Sequence, residues 1–165
     1  MSRYASVTGT ITNVRPLRNC TWEWCGCTTT VSMWTDQGPA TLMVSPDTWV
    51  LDSETLRTGH RIAAFYDANA PMITIYPPQY SPLAAAILNT GQTAHLAYFD
   101  STLTDEDNTL KLNIGQSTRI RTANGQIYEG PLENQILFVI YSTSTRSIPA
   151  QTTPELVVVF CGDMS

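Results

Sequence analysis

The chain has 165 residues, a formal net charge of −5 and 14% charged residues, against about a quarter in an average soluble protein. Its 42% hydrophobic content excludes a disordered tail, and its 24 threonines do not fit a helical bundle, which is rich in Ala, Leu, Glu and Lys. The acidic balance and a single lysine, Lys111, disfavour binding to a phosphate backbone.

The first half of the chain predicts short strands separated by turns. Apolar and polar residues alternate from Ser6 to Thr12, which is the pattern of a half-buried strand. The segment from Ser53 to Gly59 predicts one short helical turn, capped by the serine and ended by the glycine. Further strands are predicted at 29–34, 41–51, 61–66 and 72–76, with a hairpin turn at 36–39.

The second half repeats this plan, with strands predicted at 94–99, 110–114, 117–121, 136–141 and 156–160. Leu83–Leu88 has the intrinsic propensity of a helix. Its counterpart in the second half, Glu155–Phe160, is rich in β-branched residues and is typical of a buried strand. We therefore predict a strand in both places.

Self-comparison reveals an internal repeat. Leu42–Val50 aligns with Leu112–Ile120 at an offset of 70 residues. The pattern P-x-Q-x-x-P at Pro77–Pro82 recurs at Pro149–Pro154, at an offset of 72. The repeat predicts an all-β protein of two tandem barrel or sandwich units, similar to OB-type barrels and sharing one core. The first unit, residues 1–89, carries an extra N-terminal strand and a Cys/Trp insert, and the second unit is residues 90–165.

Several distinctive strings carry a resemblance to a known family. They are Val44–Thr48, Phe65–Pro71, Ile75–Tyr80 and Ser144–Pro154. With these strings the chain resembles an uncharacterised family of small all-β proteins from anaerobic Firmicutes. The resemblance implies a bacterial origin and the duplicated architecture, and it implies no particular activity.

Three of the four cysteines, Cys20, Cys25 and Cys27, crowd into one C-x4-C-x-C stretch, and Cys161 lies at the far end of the chain. This spacing is unlike the paired C-x2-C of zinc sites. We therefore expect structural or incidental thiols and no metal, with a metal site and a disulfide as the alternatives.

The sequence contains no recognisable catalytic or cofactor-binding motif. Either His60 or His95 would have to serve as the base of a hydrolytic site, and both are expected to be surface or hydrogen-bonded histidines. Thr104–Asn108 is acidic, but it lacks the glycine and the distal glutamate of a calcium loop. It predicts a solvated hairpin tip.

Two sets of residues are candidates for binding. The repeated glutamines, Gln79 and Gln151, either fasten their proline-rich loops or face a ligand. In the second case a groove between the units is predicted to be lined by Tyr66, Gln79, Tyr141, Arg146 and Gln151. Trp22 and Trp24 predict either a surface for a partner or a small satellite core.

These observations favour a non-enzymatic binding or protein-interaction module without a cofactor, for an unidentified small molecule or protein, with a homodimer as a further possibility. The alternatives are an OB-like nucleic-acid-binding protein, using Arg119, Arg121 and Arg146, and an enzyme with an unfamiliar site. The chain shows neither a signal peptide nor a stretch of about 18 apolar residues. A cytoplasmic location and no membrane partner are therefore expected.

Overall fold

The computed structural model describes residues 3–23 and 25–162 and is nearly all β-structure. Helical structure within these ranges is limited to two three-residue 3₁₀ turns, Cys25–Cys27 and Leu51–Ser53. The chain divides into two compact units. Of the described residues, those between 5 and 88 form the first unit, and residues 89–162 together with residues 3 and 4 form the second.

The first unit contains one seven-stranded sheet. Its strands are β1 (Tyr4–Pro16), β2 (Thr29–Thr35), β3 (Gly38–Val44), β4 (Trp49–Val50), β5 (Arg61–Asp67), β6 (Gln79–Tyr80) and β7 (Ala84–Leu88). Their order across the sheet is β4-β7-β5-β1-β2-β3-β6. Strands β1, β2 and β3 pair antiparallel. The two-residue strands β4 and β6 close the edges in parallel pairs with β7 and β3.

Alternation along these strands builds the core of the first unit. Ile11, Val31 and Leu42 are buried on neighbouring strands. The residues directly before and after each of them along its strand are more exposed. Gly9 is needed where β1 lies against β2, because a Cβ at this position would come within 2.3 Å of the Trp34 carbonyl oxygen. The core cluster comprises Ile11, Val31, Met33, Ala40, Leu42, Leu56, Ile62, Ala64 and Ala85.

The second unit contains a four-stranded sheet and a two-stranded sheet. Its strands are β8 (Thr93–Phe99), β9 (Leu110–Leu112), β10 (Arg119–Thr122), β11 (Gln135–Tyr141), β12 (Ala150–Thr152) and β13 (Leu156–Phe160). The four-stranded sheet has the order β10-β13-β11-β8, and β12 and β9 form the parallel two-stranded sheet. Strand β11 is central and pairs antiparallel with both β8 and β13. The core cluster comprises Ala97, Phe99, Leu110, Leu112, Leu132, Leu137, Val139, Val157 and Val159.

The two units contain the same sequence of strand pairings. In the first, β3 pairs parallel with β6, β4 parallel with β7, and β5 antiparallel with β7. In the second, β9 pairs parallel with β12, β10 parallel with β13, and β11 antiparallel with β13. The Tyr76–Pro77 and Ile148–Pro149 peptide bonds are both cis.

A threonine fastens the turn before the parallel edge pair in each unit. The hydroxyl of Thr48 donates to the carbonyl of Pro82 at 2.9 Å and accepts the backbone N–H three residues before it at 3.1 Å. The hydroxyl of Thr118 donates to the carbonyl of Pro154 at 2.7 Å and accepts the corresponding N–H at 3.2 Å. Each hydroxyl therefore joins a turn to the segment that precedes the last strand of its unit.

The all-β class is confirmed, as is the prediction of a strand at Ala84–Leu88. The hairpin between β2 and β3 is also confirmed. Its two turn residues are Asp36 and Gln37, and Gly38 follows them with φ +111°, a conformation that favours glycine.

Three predictions about local elements are wrong. The helical turn predicted at Ser53–Gly59 lies earlier, at Leu51–Ser53, because Asp52 and Ser53 adopt φ values of 59° and 50° and end the short 3₁₀ turn there. The predicted strand 41–51 is interrupted by a turn at 45–48, where Pro46 lacks an N–H for pairing. Residues 72–76 form no strand, and their large apolar side chains are exposed.

Candidate ligand-binding site

Two tyrosines form an aromatic pair in the first unit. Tyr66 lies near the end of β5 and Tyr80 lies on β6. Their ring centroids are 4.8 Å apart, and the ring planes are inclined by 38°, within the range of favourable aromatic contacts. Tyr80 also packs against the core cluster of the first unit. The pair is therefore held by the sheet rather than by a loop.

This pair forms one wall of an open cleft of about 340 Å³, which we call the tyrosine cleft. The segment after β5 forms another part of its lining. It begins with a turn in which Asp67 accepts the N–H of Asn69 through its carboxylate at 2.8 Å and that of Ala70 through its carbonyl at 3.1 Å. The lining residues are Tyr66, Asp67, Ala70, Pro71, Met72, Ile73, Gln79, Tyr80, Ser81 and Leu83.

The wall formed by the loop exposes large apolar side chains. Met72 is 48% exposed and Ile73 is 62% exposed. Isolated exposed apolar residues are common on protein surfaces, but a contiguous set beside a concave aromatic wall is typical of a binding site. The cleft therefore has an apolar interior with a few polar groups from Asp67, Gln79 and Ser81.

The electrostatics of the cleft favour a ligand without negative charge. Burial raises the pKa of Tyr66 above its ordinary value, and the neighbouring Tyr80 raises it further. The Tyr66 hydroxyl is therefore protonated at neutral pH and can donate a hydrogen bond. Asp67 is the only charged residue among those that line the cleft, and its carboxylate would repel an anion.

The structure brings together two of the five residues predicted for a groove, Tyr66 and Gln79. The other three belong to the second unit. Tyr141 lies at the end of β11 and is partly buried, and Arg146 is exposed in the following loop. That these residues line one shared groove stays a prediction.

The second unit has its own cleft, of about 410 Å³, at the corresponding proline-rich segment. Gln151 fastens this segment: its side-chain oxygen accepts from Asn113 Nδ2 at 3.2 Å, and its backbone N–H donates to Thr145 Oγ1 at 2.9 Å. Hydroxyls and amides dominate the lining, which consists of Asn113, Thr143, Ser144, Thr145, Gln151, Thr152 and Thr153. This cleft lacks the aromatic wall of the first unit.

The Cys/Trp insert departs from the expectation of thiols. Cys20 and Cys25 form a disulfide, with Cα atoms 6.1 Å apart, a separation within the range for such bridges. Cys27 and Cys161 are free and exposed. Trp22 is 52% exposed, and Trp24, the second residue of the predicted partner surface, lies outside the described residues.

The acidic segment 104–108 is not a fully solvated hairpin tip. Asp105 is 3% exposed and Thr104 is 8% exposed, although the three residues that follow are exposed. The Asp105 carboxylate accepts hydrogen bonds from His95 Nε2 at 2.9 Å and from the N–H groups of Thr109 at 2.6 Å and Leu110 at 3.1 Å. Burial is therefore possible because the carboxylate is hydrogen-bonded on several sides.

Both histidines have hydrogen-bond partners, as expected. His95 pairs with Asp105, and His60 Nδ1 accepts the backbone N–H of Arg57 at 3.1 Å. The Thr109 hydroxyl also donates to the Asp105 carboxylate. The spacing of Asp105 and Thr109 was the signal that could have predicted a buried aspartate here, because Asp side chains often bind nearby backbone N–H groups.

Within residues 3–23 and 25–162, no group of three or more His, Cys, Asp or Glu side chains is arranged to hold a metal ion. None of the helical segments in those same ranges has the length and apolar character of a membrane span. No model of a known protein family matches the chain, and a comparison with curated proteins finds no significant relative.

Proposed function

We propose that this chain is a non-enzymatic binding module and that the tyrosine cleft of its first unit holds the ligand. The ligand has a flat apolar face and no negative charge, as in an aromatic ring or the apolar face of a sugar ring. The single observation that carries the proposal is the Tyr66–Tyr80 pair, 4.8 Å between centroids, set in the wall of an open cleft.

The aromatic wall provides apolar contact area for the ligand, and the polar groups orient the ligand. A ring placed against the tyrosines would cover apolar surface that also includes Met72 and Ile73, and burial of such surface from water is favourable. The Tyr66 hydroxyl and the Gln79 amide offer donors, and the amide and Asp67 offer acceptors. A few convergent polar groups in an apolar cleft are typical of small-molecule sites.

The test is a nuclear magnetic resonance titration of the full chain, following backbone amide shifts. Benzyl alcohol, methyl β-glucoside and sodium benzoate serve as the neutral aromatic, sugar and anionic probes. We expect shifts confined to residues 66–73 and 79–83 with benzyl alcohol or the glucoside, and weaker binding of benzoate. Tighter binding of benzyl alcohol would assign an aromatic ligand, and tighter binding of the glucoside would assign a sugar.

Variants sharpen this test. Tyr66→Ala should weaken binding roughly three- to tenfold through loss of an aromatic contact. Tyr76→Ala is the matched control, because Tyr76 is 78% exposed and does not line the cleft. Ile73→Ser removes an exposed lining side chain without opening the core and should also weaken binding. Unchanged affinity in both cleft variants, or the absence of any shift in the cleft with all three probes, would overturn the proposal.

We also propose that the two units descend from one duplicated β-unit, as the sequence repeat predicts. The shared order of parallel and antiparallel pairings supports this origin. The equivalent hydrogen bonds of Thr48 and Thr118 support it as well. On this proposal the two proline-rich segments once lined similar clefts. In the present protein the cleft of the first copy has the aromatic wall, and the cleft of the second copy has the hydroxyl-rich lining.

A further inference from the structure

Two arginines lie at the end of β1 in the first unit. Arg15 is the penultimate residue of the strand, and Arg18 follows two residues after its end. Both line an open cleft of about 710 Å³, which we call the arginine cleft. Its remaining lining residues are Pro16, Leu17, Thr30 and Ser32.

Strand pairing determines which groups reach this cleft. Arg15 is directly opposite Thr30 in the antiparallel pair of β1 and β2. Thr30 and Ser32 share the outer face of β2, because the residues between and beyond them, Val31 and Met33, are buried in the core. Two hydroxyls therefore lie on the same outer face of the sheet as the Arg15 side chain.

The chain is fastened on both sides of Arg18. The backbone N–H of Leu17 donates to the carbonyl of Thr28 at 2.9 Å, which extends the pairing beyond the end of β1. The disulfide between Cys20 and Cys25 then closes the segment that follows. Arg18 thus lies in the chain between a backbone hydrogen bond and a covalent bridge.

The charge of the cleft contrasts with that of the chain. The net charge of the protein is −5, yet two permanently charged guanidinium groups line this cleft and none of its lining residues is acidic. Each guanidinium presents a fork of N–H donors that matches two oxygens of an oxyanion. The hydroxyl of Ser32 adds a donor from β2, whereas the hydroxyl of Thr30 donates to Met43 Sδ at 3.8 Å.

We propose that the arginine cleft binds a tetrahedral dianion, the phosphate or sulfate group of a small molecule. Two positive charges match a charge of −2, and donors from two strands can reach more oxygens than the two of a planar carboxylate. This site is separate from the tyrosine cleft in its residues and opposite to it in charge preference.

The proposal is tested by titrating the full, disulfide-bonded chain with inorganic phosphate, sulfate and acetate at constant ionic strength. Magnetic resonance signals of the arginine side chains and backbone amides provide the readout. We expect phosphate and sulfate to shift residues 15–18 and 30–32, with acetate binding at least roughly tenfold more weakly because it offers one charge and two oxygens. Stronger binding of phosphate would assign a phosphorylated ligand, and stronger binding of sulfate a sulfated one.

Three variants make the outcome decisive. Arg15→Gln and Arg18→Gln should each weaken anion binding roughly tenfold, the order expected for loss of a charged hydrogen bond. Arg61→Gln is the matched control: Arg61 is exposed in the same unit, begins β5 and does not line the cleft. Equal weakening in all three variants would show attraction by overall charge alone and would overturn the site. Equal affinities for acetate and phosphate would overturn the tetrahedral dianion.

Discussion

The Nε2 atom of His95 lies 2.9 Å from Oδ2 of Asp105, and this contact joins β8 to the loop before β9. The aspartate side chain is 1% exposed and that of the histidine 28% exposed. Backbone N–H groups of Thr109 and Leu110 donate to the same carboxylate. A buried charge with this many donors fastens its loop to the sheet, and several predictions depend on it.

Replacing Asp105 with Asn should destabilise the protein by about 2–4 kcal/mol. The donors around Asp105 bond to two carboxylate oxygens, whereas the asparagine amide offers them one acceptor oxygen. Urea unfolding at pH 7 measures the change in the free energy of unfolding. Asp36→Asn is the matched control: Asp36 is exposed in the β2–β3 hairpin, and its change should stay within about 0.5 kcal/mol. Similar effects of the two substitutions would show that the buried carboxylate has no special role.

The stability that Asp105 contributes should depend on pH. Burial alone raises the pKa of its carboxyl group, but hydrogen bonds from His95, Thr109 and Leu110 outweigh burial and hold the pKa well below its ordinary value. The unfolded chain therefore takes up this proton first as the pH falls below about 4. The contribution is complete above that range and is lost on acidification toward the folded pKa.

The stability difference between wild type and Asp105→Asn should accordingly shrink between about pH 4 and pH 2. Urea unfolding of both proteins across this range provides the measurement. A difference that stays constant down to pH 2 would contradict the assignment of a lowered pKa.

Tyr141 should report the charge of Asp105. Burial raises the pKa of the Tyr141 hydroxyl above its ordinary value, and the negative charge of Asp105 raises it further. Asp105→Asn removes the second cause and should lower the pKa of Tyr141 toward the ordinary value of about 10. A magnetic resonance titration of the tyrosine Cζ signals measures this change, with Asp36→Asn as the control. A pKa that is the same in both variants would exclude coupling of the two side chains.

The hydroxyls of Thr48 and Thr118 should contribute equally to their units. Thr48→Val and Thr118→Val each leave a proline carbonyl and a turn N–H without their partner and should cost about 1–3 kcal/mol. Serine at either position keeps the hydroxyl and should restore most of the loss. Thr55→Val is the control, because Thr55 is exposed. A large effect at only one position would argue against equivalent roles.

Much of the strand plan could be predicted from local pattern. Alternation in β1, apolar character in β11 and β13, and the turn residues between β2 and β3 are local signals, and the structure contains these elements. The segment at 72–76 has the same β-branched and apolar character but remains unpaired. Composition alone does not reveal whether a neighbouring strand is available for pairing.

The two candidate sites could be predicted from the sequence to different degrees. Tyr66 and Gln79 were predicted as binding residues from the repeat, and they do line one cleft. The pairing of Tyr66 with Tyr80 was not predicted, because it depends on β5 and β6 meeting around the core. The arginine cleft was missed for the same reason: the pairing of Arg15 with Thr30 joins residues that are far apart in the chain.

The sequence by itself determined the all-β class, because alternation, turn residues and β-branched content act through neighbours along the chain. The tertiary structure decided which polar groups are buried. The acidic character that Asp105 shares with Glu106 and Asp107 does not show which of them is buried, yet only the first is buried among these three. Its burial requires His95 from another segment, and the free energy of a buried charge depends on such partners. The tyrosine and arginine clefts likewise exist only where separate strands come together.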